Sequence, residues 1–153
     1  MNCLAYSPDG TMLASGSSDQ TVKLWDYVAK QDVMSLTNSG NRVAFSPDGK
    51  TLATANWKGL VKLWDVASLR VLNTFSAGRV VSLAFSLDSR WLAWSTEQKE
   101  NNVCLWDLTE SEPTFLENRV RHKTYSVAFS PGGEILATAN SDHSILLWNV
   151  LRR

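Results

Sequence analysis

The sequence predicts an all-β fold made of four copies of one antiparallel sheet unit. The stretch VAFSPDGKTLATANWKGLVKLWDV, residues 43–66, recurs with small changes from residues 4, 83 and 127. Within each copy the third apolar run alternates with a period of two, and no segment carries sustained helical periodicity. Self-similarity at a period of about 40 residues is typical of stacked supersecondary units, so four similar sheets are expected.

The second copy justifies each element in order. VAF, residues 43–45, is a short apolar run that predicts the first strand. The Pro-Asp-Gly at residues 47–49 supplies a fixed φ, a side chain that bonds nearby backbone and a residue tolerant of positive φ, which predicts a hairpin turn. KTLATA predicts the second strand, with small Ala53 and Ala55 where neighbouring backbone approaches. LVKLWD predicts the third strand and RVLNTF the fourth.

Composition limits the class of protein. A chain of 153 residues with 44% apolar and 20% charged residues is typical of a soluble globular domain with a hydrophobic core. Its 15 basic and 15 acidic residues balance, so the overall charge favours neither nucleic acid nor an anionic membrane. No apolar run is long enough to span a bilayer, and the first residues lack the pattern of a signal peptide. Cys3 and Cys104 lie in apolar strand patterns and are predicted to be buried free thiols, which favours a cytoplasmic location.

The repeated motifs carry a family resemblance. SPDG, then LAxGxxD, then TVKLWD recur in register over essentially the whole chain, and this resembles the WD-repeat β-propeller family. The resemblance implies four consecutive blades, each an antiparallel sheet whose strands run outward from a common axis. The repeats are expected at about residues 1–38, 39–77, 78–118 and 119–153.

The Trp-Asp pair is predicted to be structural and not a ligand site. A binding site is rarely needed four times in the same register, whereas a tryptophan that packs between blades is needed in every blade. The aspartate is expected to end the third strand. The predicted structural residues are Trp25, Asp26, Trp64, Asp65, Trp106, Asp107 and Trp148.

The resemblance also implies a hydrogen-bonded set that joins the tryptophan to a Ser or Thr, a His and an Asp. The fourth copy offers the best candidates, which are Trp148, Thr138, His122 and Asp142. The first copy keeps Trp25, Ser15 and Asp19 but lacks the histidine. The second has Lys58 at the Asp position, and the third has Trp94 at the Ser/Thr position with Glu100 near the Asp position. These blades are expected to depend more on apolar packing.

The fourth copy reaches only its third strand before Arg153, so three complete blades and one without its outer strand are expected. Three complete blades and one incomplete blade are not expected to form a closed ring, because propellers of this family usually have about seven blades. Three interpretations follow: a piece of a longer propeller, assembly with another copy, or a truncated gene product.

Residues that could carry chemistry are few. Ser141–Ser144 reads SDHS, but adjacent residues of a tight turn do not form a nucleophile–base–orienter chain. His122 and His143 show no metal-ligand spacing with the cysteines, and Gly132-Gly133 does not open a helix. We therefore expect no enzyme activity, no cofactor and no metal.

The remaining candidate is a binding face. In the family, the connections that enter first strands and those between second and third strands gather at one end, where partners dock. The candidate residues there are Arg42, Trp57, Lys58, Arg79, Arg121 and His122. Trp57 is either an exposed interface anchor or folded over its own blade, and the arginines are either contacts or solvated.

The sequence thus favours a non-catalytic scaffold that binds protein or peptide partners. The alternative is a fragment of a larger regulatory or signalling protein whose effector domain lies outside this chain. Self-association, or packing with the rest of a longer propeller, remains open. Catalysis in a central channel, nucleic-acid binding through the basic loops and membrane binding are not favoured.

Overall fold

The computed structural model describes residues 2–98, 102–116 and 122–151. Within these ranges fifteen strands form four antiparallel sheets, three with four strands and one with three, and each sheet follows chain order from one edge to the other. The prediction of an all-β fold with four consecutive antiparallel sheets is confirmed. Across the described ranges, no helix is long and apolar enough to cross a membrane.

Two sheets make up the first compact unit, residues 1–80. The first sheet contains β1 (Cys3–Tyr6), β2 (Met12–Gly16), β3 (Val22–Asp26) and β4 (Gln31–Leu36). The second sheet contains β5 (Arg42–Phe45), β6 (Thr51–Ala55), β7 (Leu60–Asp65) and β8 (Val71–Ser76). The third strand of each sheet ends at the aspartate of its Trp-Asp pair, as expected.

The other two sheets belong to the second unit, residues 81–153, although the first strand of the third sheet begins one residue earlier. The third sheet contains β9 (Val80–Phe85), β10 (Trp91–Thr96), β11 (Val103–Asp107) and β12 (Thr114–Phe115). The fourth sheet contains β13 (Thr124–Phe129), β14 (Ile135–Asn140) and β15 (Ile145–Asn149). Within the described residues the fourth sheet therefore has three strands, as predicted.

The hairpin turn between first and second strands is held by its serine as well as by its Pro-Asp-Gly. Ser46 Oγ donates to Asp48 Oδ1 at 2.6 Å and accepts from the Thr51 amide at 2.9 Å. Gly49 takes a φ of 71°, as the turn requires. In the first sheet, Ser7 Oγ donates to Asp9 Oδ1 in the same way, and this bond holds the pKa of Asp9 below its ordinary value. The serine closes the turn because one hydroxyl satisfies both the carboxylate and the strand backbone.

The first two sheets pack face to face around one core. Its buried members are Ala14, Val22, Leu24, Leu36, Val43, Leu52 and Trp64. The first sheet contributes small and branched side chains and the second contributes the tryptophan. Gly40, in the connection between the first and second sheets, allows the backbone to pass close to Ala55. A Cβ at this position would lie 1.9 Å from the Ala55 carbonyl oxygen.

The third and fourth sheets pack in the same way. Their core contains Trp91, Ala93, Val103, Leu105, Val127, Leu136 and Val150, with Trp148 packed against it. Cys104 is buried in β11, and burial raises the pKa of its thiol to about 12. Cys3 is only partly buried, so the prediction of buried thiols is right for Cys104 and wrong for Cys3. Cys3 starts an edge strand, where half of the residues face outward.

Candidate functional site

The tryptophan of the second sheet is embedded in the core and is not available to a ligand. Trp64 is 7% exposed, and its Nε1 donates to Thr54 Oγ1 at 3.0 Å. Lys62 Nζ lies 5.4 Å from the centroid of the indole and covers its outer part. The indole therefore joins the first two sheets by packing and by one buried hydrogen bond.

The fourth sheet contains two of the contacts of the hydrogen-bonded set that the family resemblance implies. Trp148 Nε1 donates to Thr138 Oγ1 at 3.3 Å, and His122 Nε2 lies 3.1 Å from Asp142 Oδ2. A bond from the Ser144 hydroxyl, helped by His122, lowers the pKa of Asp142. Because that carboxylate is also bonded within its own turn, the pair ties the loop before β13 to the turn between β14 and β15.

In the first and third sheets, the residues that correspond to this Trp, Ser/Thr and Asp make different contacts. In the third sheet Trp94 occupies the Ser/Thr position, is 1% exposed and has no partner for its Nε1 among the described residues. Trp106 Nε1 instead donates to the Glu110 carbonyl oxygen at 3.0 Å. In the first sheet Asp19 is used inside its own turn, where it accepts from the amide and hydroxyl of Thr21. Glu100 lies outside the described residues.

The repeated aspartates close the turns after the third strands. Asp26 Oδ1 accepts from the Ala29 amide at 2.7 Å, and Asp65 Oδ1 accepts from the Ser68 amide at 2.7 Å. In the third sheet Asp107 also pairs with Arg90, whose Nη2 lies 2.6 Å from Oδ2. The hydrogen bonds from Arg90 lower the pKa of Asp107 from 3.8 to about 2.

Asp107→Asn is expected to lower stability at neutral pH and to lose that effect in acid. A depressed carboxylate pKa stabilises the fold above the unfolded value, about 3.9, and this contribution disappears as the pH falls towards the folded value. The thermal midpoints of wild type and Asp107→Asn should therefore differ at pH 7. The difference should become smaller as the pH falls from about 4 to about 2. Added salt should also narrow the gap, since the Arg90 side chain is 50% exposed. A difference that stays constant down to pH 2.5 would contradict this assignment.

The candidate partner face centres on Trp57, in the turn between β6 and β7. Trp57 is 44% exposed, and the guanidinium carbon of Arg79 lies 5.2 Å from its ring centroid. Arg79 lies on the connection between β8 and β9. The two segments are joined because the Ala77 amide donates to the Gly59 carbonyl oxygen at 2.6 Å. Trp57 thus stacks on the arginine of a neighbouring connection and keeps much of its surface in solvent.

Arg42 and Lys58 lie at the same end of the first unit. The connection that precedes Arg42 is bonded to the turn of Trp57, since Asn56 Nδ2 donates to the Asn38 carbonyl oxygen at 3.1 Å. Lys58 follows Trp57 and is exposed. Four of the six candidates therefore lie on bonded segments of one unit. His122 lies in the second unit, paired with Asp142, and Arg121 lies outside the described residues.

A surface pocket of the first unit lies at the ends of its strands opposite to Trp57. It has a volume of about 490 Å³ and is lined by turns that contain Asp9, Asp48 and Asp65. Each of these carboxylates accepts a hydrogen bond from a serine of its own turn. In the described part of the chain, no group of three or more His, Cys, Asp or Glu side chains could hold a metal ion. The three carboxylates therefore take part in the hydrogen bonds of their own turns.

Comparison with known proteins identifies the family. The family model described as "WD domain, G-beta repeat" matches residues 1–26, 30–65, 68–107 and 116–149. Three of the matched segments end at the aspartate of the Trp-Asp pair and the fourth ends at Asn149. The chain belongs to the WD-repeat family of β-propeller proteins.

Several curated relatives match almost the whole chain. It is 31% identical to "WD repeat-containing protein slp1" of Schizosaccharomyces pombe over 96% of this chain and 32% of that protein. It is 32% identical to "Protein HIR1" of Candida albicans over 97% of this chain and 17% of that protein. It is 26% identical to "Anaphase-promoting complex subunit cdc20" of Dictyostelium discoideum over 98% of this chain and 32% of that protein. The chain thus spans a third or less of the length of these relatives.

Proposed function

We propose that this chain is a non-catalytic scaffold that binds a protein or peptide partner through the end of the first unit that carries Trp57. The stack of Trp57 on Arg79 is the observation that supports this function most strongly. An exposed indole held by a guanidinium is a preformed anchor, because little side-chain freedom remains to be lost on binding. Aromatic and arginine residues also dominate the energies of protein interfaces.

The charges around Trp57 indicate what kind of partner segment fits. Arg79 lies over the ring of Trp57, and Arg42 and Lys58 add two cations on segments that are bonded to each other at the same end. A peptide that offers carboxylates beside an apolar side chain matches this arrangement. The sheets below supply rigidity, so that partner contacts rest on loops whose positions are set by a packed core.

The relatives support a role in assemblies. The Dictyostelium protein is by its name a subunit of the anaphase-promoting complex, and scaffolding is a general role of the WD-repeat fold. A second proposal is that this chain is one segment of a larger regulatory protein. It is supported by the greater length of the relatives, and reading the coding sequence on both sides of the 153 codons tests it. A cytoplasmic location is part of both proposals and is supported by the two free cysteines.

Replacing Trp57 by alanine is expected to weaken partner binding without unfolding the chain. Peptides selected on the wild-type chain from a displayed random library should lose about tenfold or more in affinity for Trp57→Ala, and a similar amount for Arg79→Glu. Phe115→Ala is the matched control, because Phe115 is an aromatic residue of the same exposure, 44%, and lies on β12 of the second unit. Equal losses in the control, or a library that yields no binder to the wild type, would contradict the proposed site.

A further inference from the structure

The outer face of the first sheet repeats a face that the second sheet buries. The cross-strand row Tyr6–Leu13–Trp25 has the register of Phe45–Leu52–Trp64 in the second sheet. Leu4 and Ser15 likewise correspond to Val43 and Thr54. In the second sheet this face is closed by the first sheet, so that Val43 is 6% exposed and Leu52 is 1% exposed. In the first sheet Leu4 is 56% exposed and Tyr6 is 59% exposed.

The outer face of the fourth sheet repeats the face that the first sheet buries. The row Ala128–Ala137–Leu147 has the register of Ala5–Ala14–Leu24, and Ile145 corresponds to Val22. Val22 and Leu24 are 0% and 1% exposed because they pack against the second sheet. Ile145 and Leu147 are 70% and 68% exposed. An apolar sheet face of this kind is expected to have an occupant.

The outer faces of the first and fourth sheets correspond to the two sides of a sheet-to-sheet contact. The chain makes this contact once within each unit. In the first unit a face of small and branched residues packs against a face that carries the tryptophan. In the second unit Ala93, Val103 and Leu105 of the third sheet pack in the same way against Val127 and Leu136 of the fourth. The exposed face that carries Trp25 has the same local arrangement as the buried face that carries Trp64. Lys23 Nζ lies 5.7 Å from the Trp25 ring centroid, and Lys62 lies over Trp64 in the same way.

We propose that the first sheet of one copy packs against the fourth sheet of a second copy of this chain. The second copy is the occupant because it carries the complementary face in the register that the two internal contacts use. Such a head-to-tail contact closes into a ring or continues as a filament.

The mass of the chain in solution tests this proposal. The wild type should sediment as a species of at least twice 17.0 kDa, because the contact joins two or more copies. Leu4→Glu and Leu147→Glu should each weaken self-association by about tenfold or more, because every head-to-tail contact needs one face of each kind. Val28→Glu is the matched control, since Val28 is 73% exposed and lies in the turn after β3, outside both faces. Circular dichroism of each variant should match the wild type, because the substituted side chains are exposed in the monomer.

A mixture of the two variants separates head-to-tail pairing from other modes. Leu4→Glu retains an intact fourth sheet and Leu147→Glu retains an intact first sheet, so the mixture restores one contact and should form a dimer that neither variant forms alone. Head-to-head pairing predicts no rescue. A monomeric wild type, variants that dimerise as the wild type does, or a mixture that remains monomeric would each overturn the proposal.

Discussion

Trp64→Ala is expected to lower the free energy of unfolding by about 3–5 kcal/mol. The indole is 7% exposed and packs in the core between the first and second sheets. Its loss leaves a cavity that rigid β-sheets cannot readily fill. Urea unfolding followed by circular dichroism measures the change.

Trp64→Phe provides the control for that substitution. Phenylalanine keeps an aromatic ring in the core but loses the hydrogen bond to Thr54, which is itself 0% exposed. An unsatisfied buried hydroxyl costs about 1–3 kcal/mol, so this variant should lie between the wild type and Trp64→Ala. A loss below about 1 kcal/mol in Trp64→Ala would mean that the indole does not support the core.

Gly40→Ala is expected to cost about 3 kcal/mol or more, because two unfavourable terms coincide there. Gly40 has a φ of 103°, which L-residues rarely adopt, and an added Cβ would lie 1.9 Å from the Ala55 carbonyl oxygen. The contact is with backbone, so no side-chain rotation relieves it. The connection between the first and second sheets would have to move, and the midpoint of urea unfolding should fall accordingly.

Gly10→Ala separates the two terms. Gly10 also has a positive φ, 72°, but nothing lies within 4 Å of an added Cβ. This variant should therefore show only the cost of the left-handed conformation, about 1–2 kcal/mol. If Gly10→Ala and Gly40→Ala lose the same free energy, the close approach of the Ala55 carbonyl is not what demands glycine at residue 40.

The fold could be predicted because each copy contains its own local evidence. The period of two in LVKLWD specifies which side chains face a neighbouring sheet, and the turn residues specify where the strand pairs begin. Because the same strand and turn pattern recurs in four copies, it predicts the fold more strongly than any single copy does. The recurring serine marks the start of each of these turns, but the bond from its hydroxyl to the aspartate two residues later, seen at Ser7, Ser46 and Ser86, emerges only from the structure.

The candidate site was less predictable, because its contacts join segments that are distant in sequence. The sequence indicated Trp57 and Arg79 separately, but their stacking depends on the approach of the turn after β6 to the connection after β8. The family resemblance correctly anticipated that Trp148 would contact Thr138 and that His122 would contact Asp142. The partner of Trp106 could not be anticipated, since it is a backbone carbonyl whose position depends on a turn of the third sheet.

The unfolding free energies of Trp64→Ala and Trp57→Ala, measured side by side in urea, test most directly whether the repeated tryptophans hold the sheets together while a loop tryptophan is left for binding. We predict a loss of about 3–5 kcal/mol for Trp64→Ala and a change within about 0.5 kcal/mol for Trp57→Ala. Equal stabilities for the two variants would contradict the account, and so would a larger loss for Trp57→Ala.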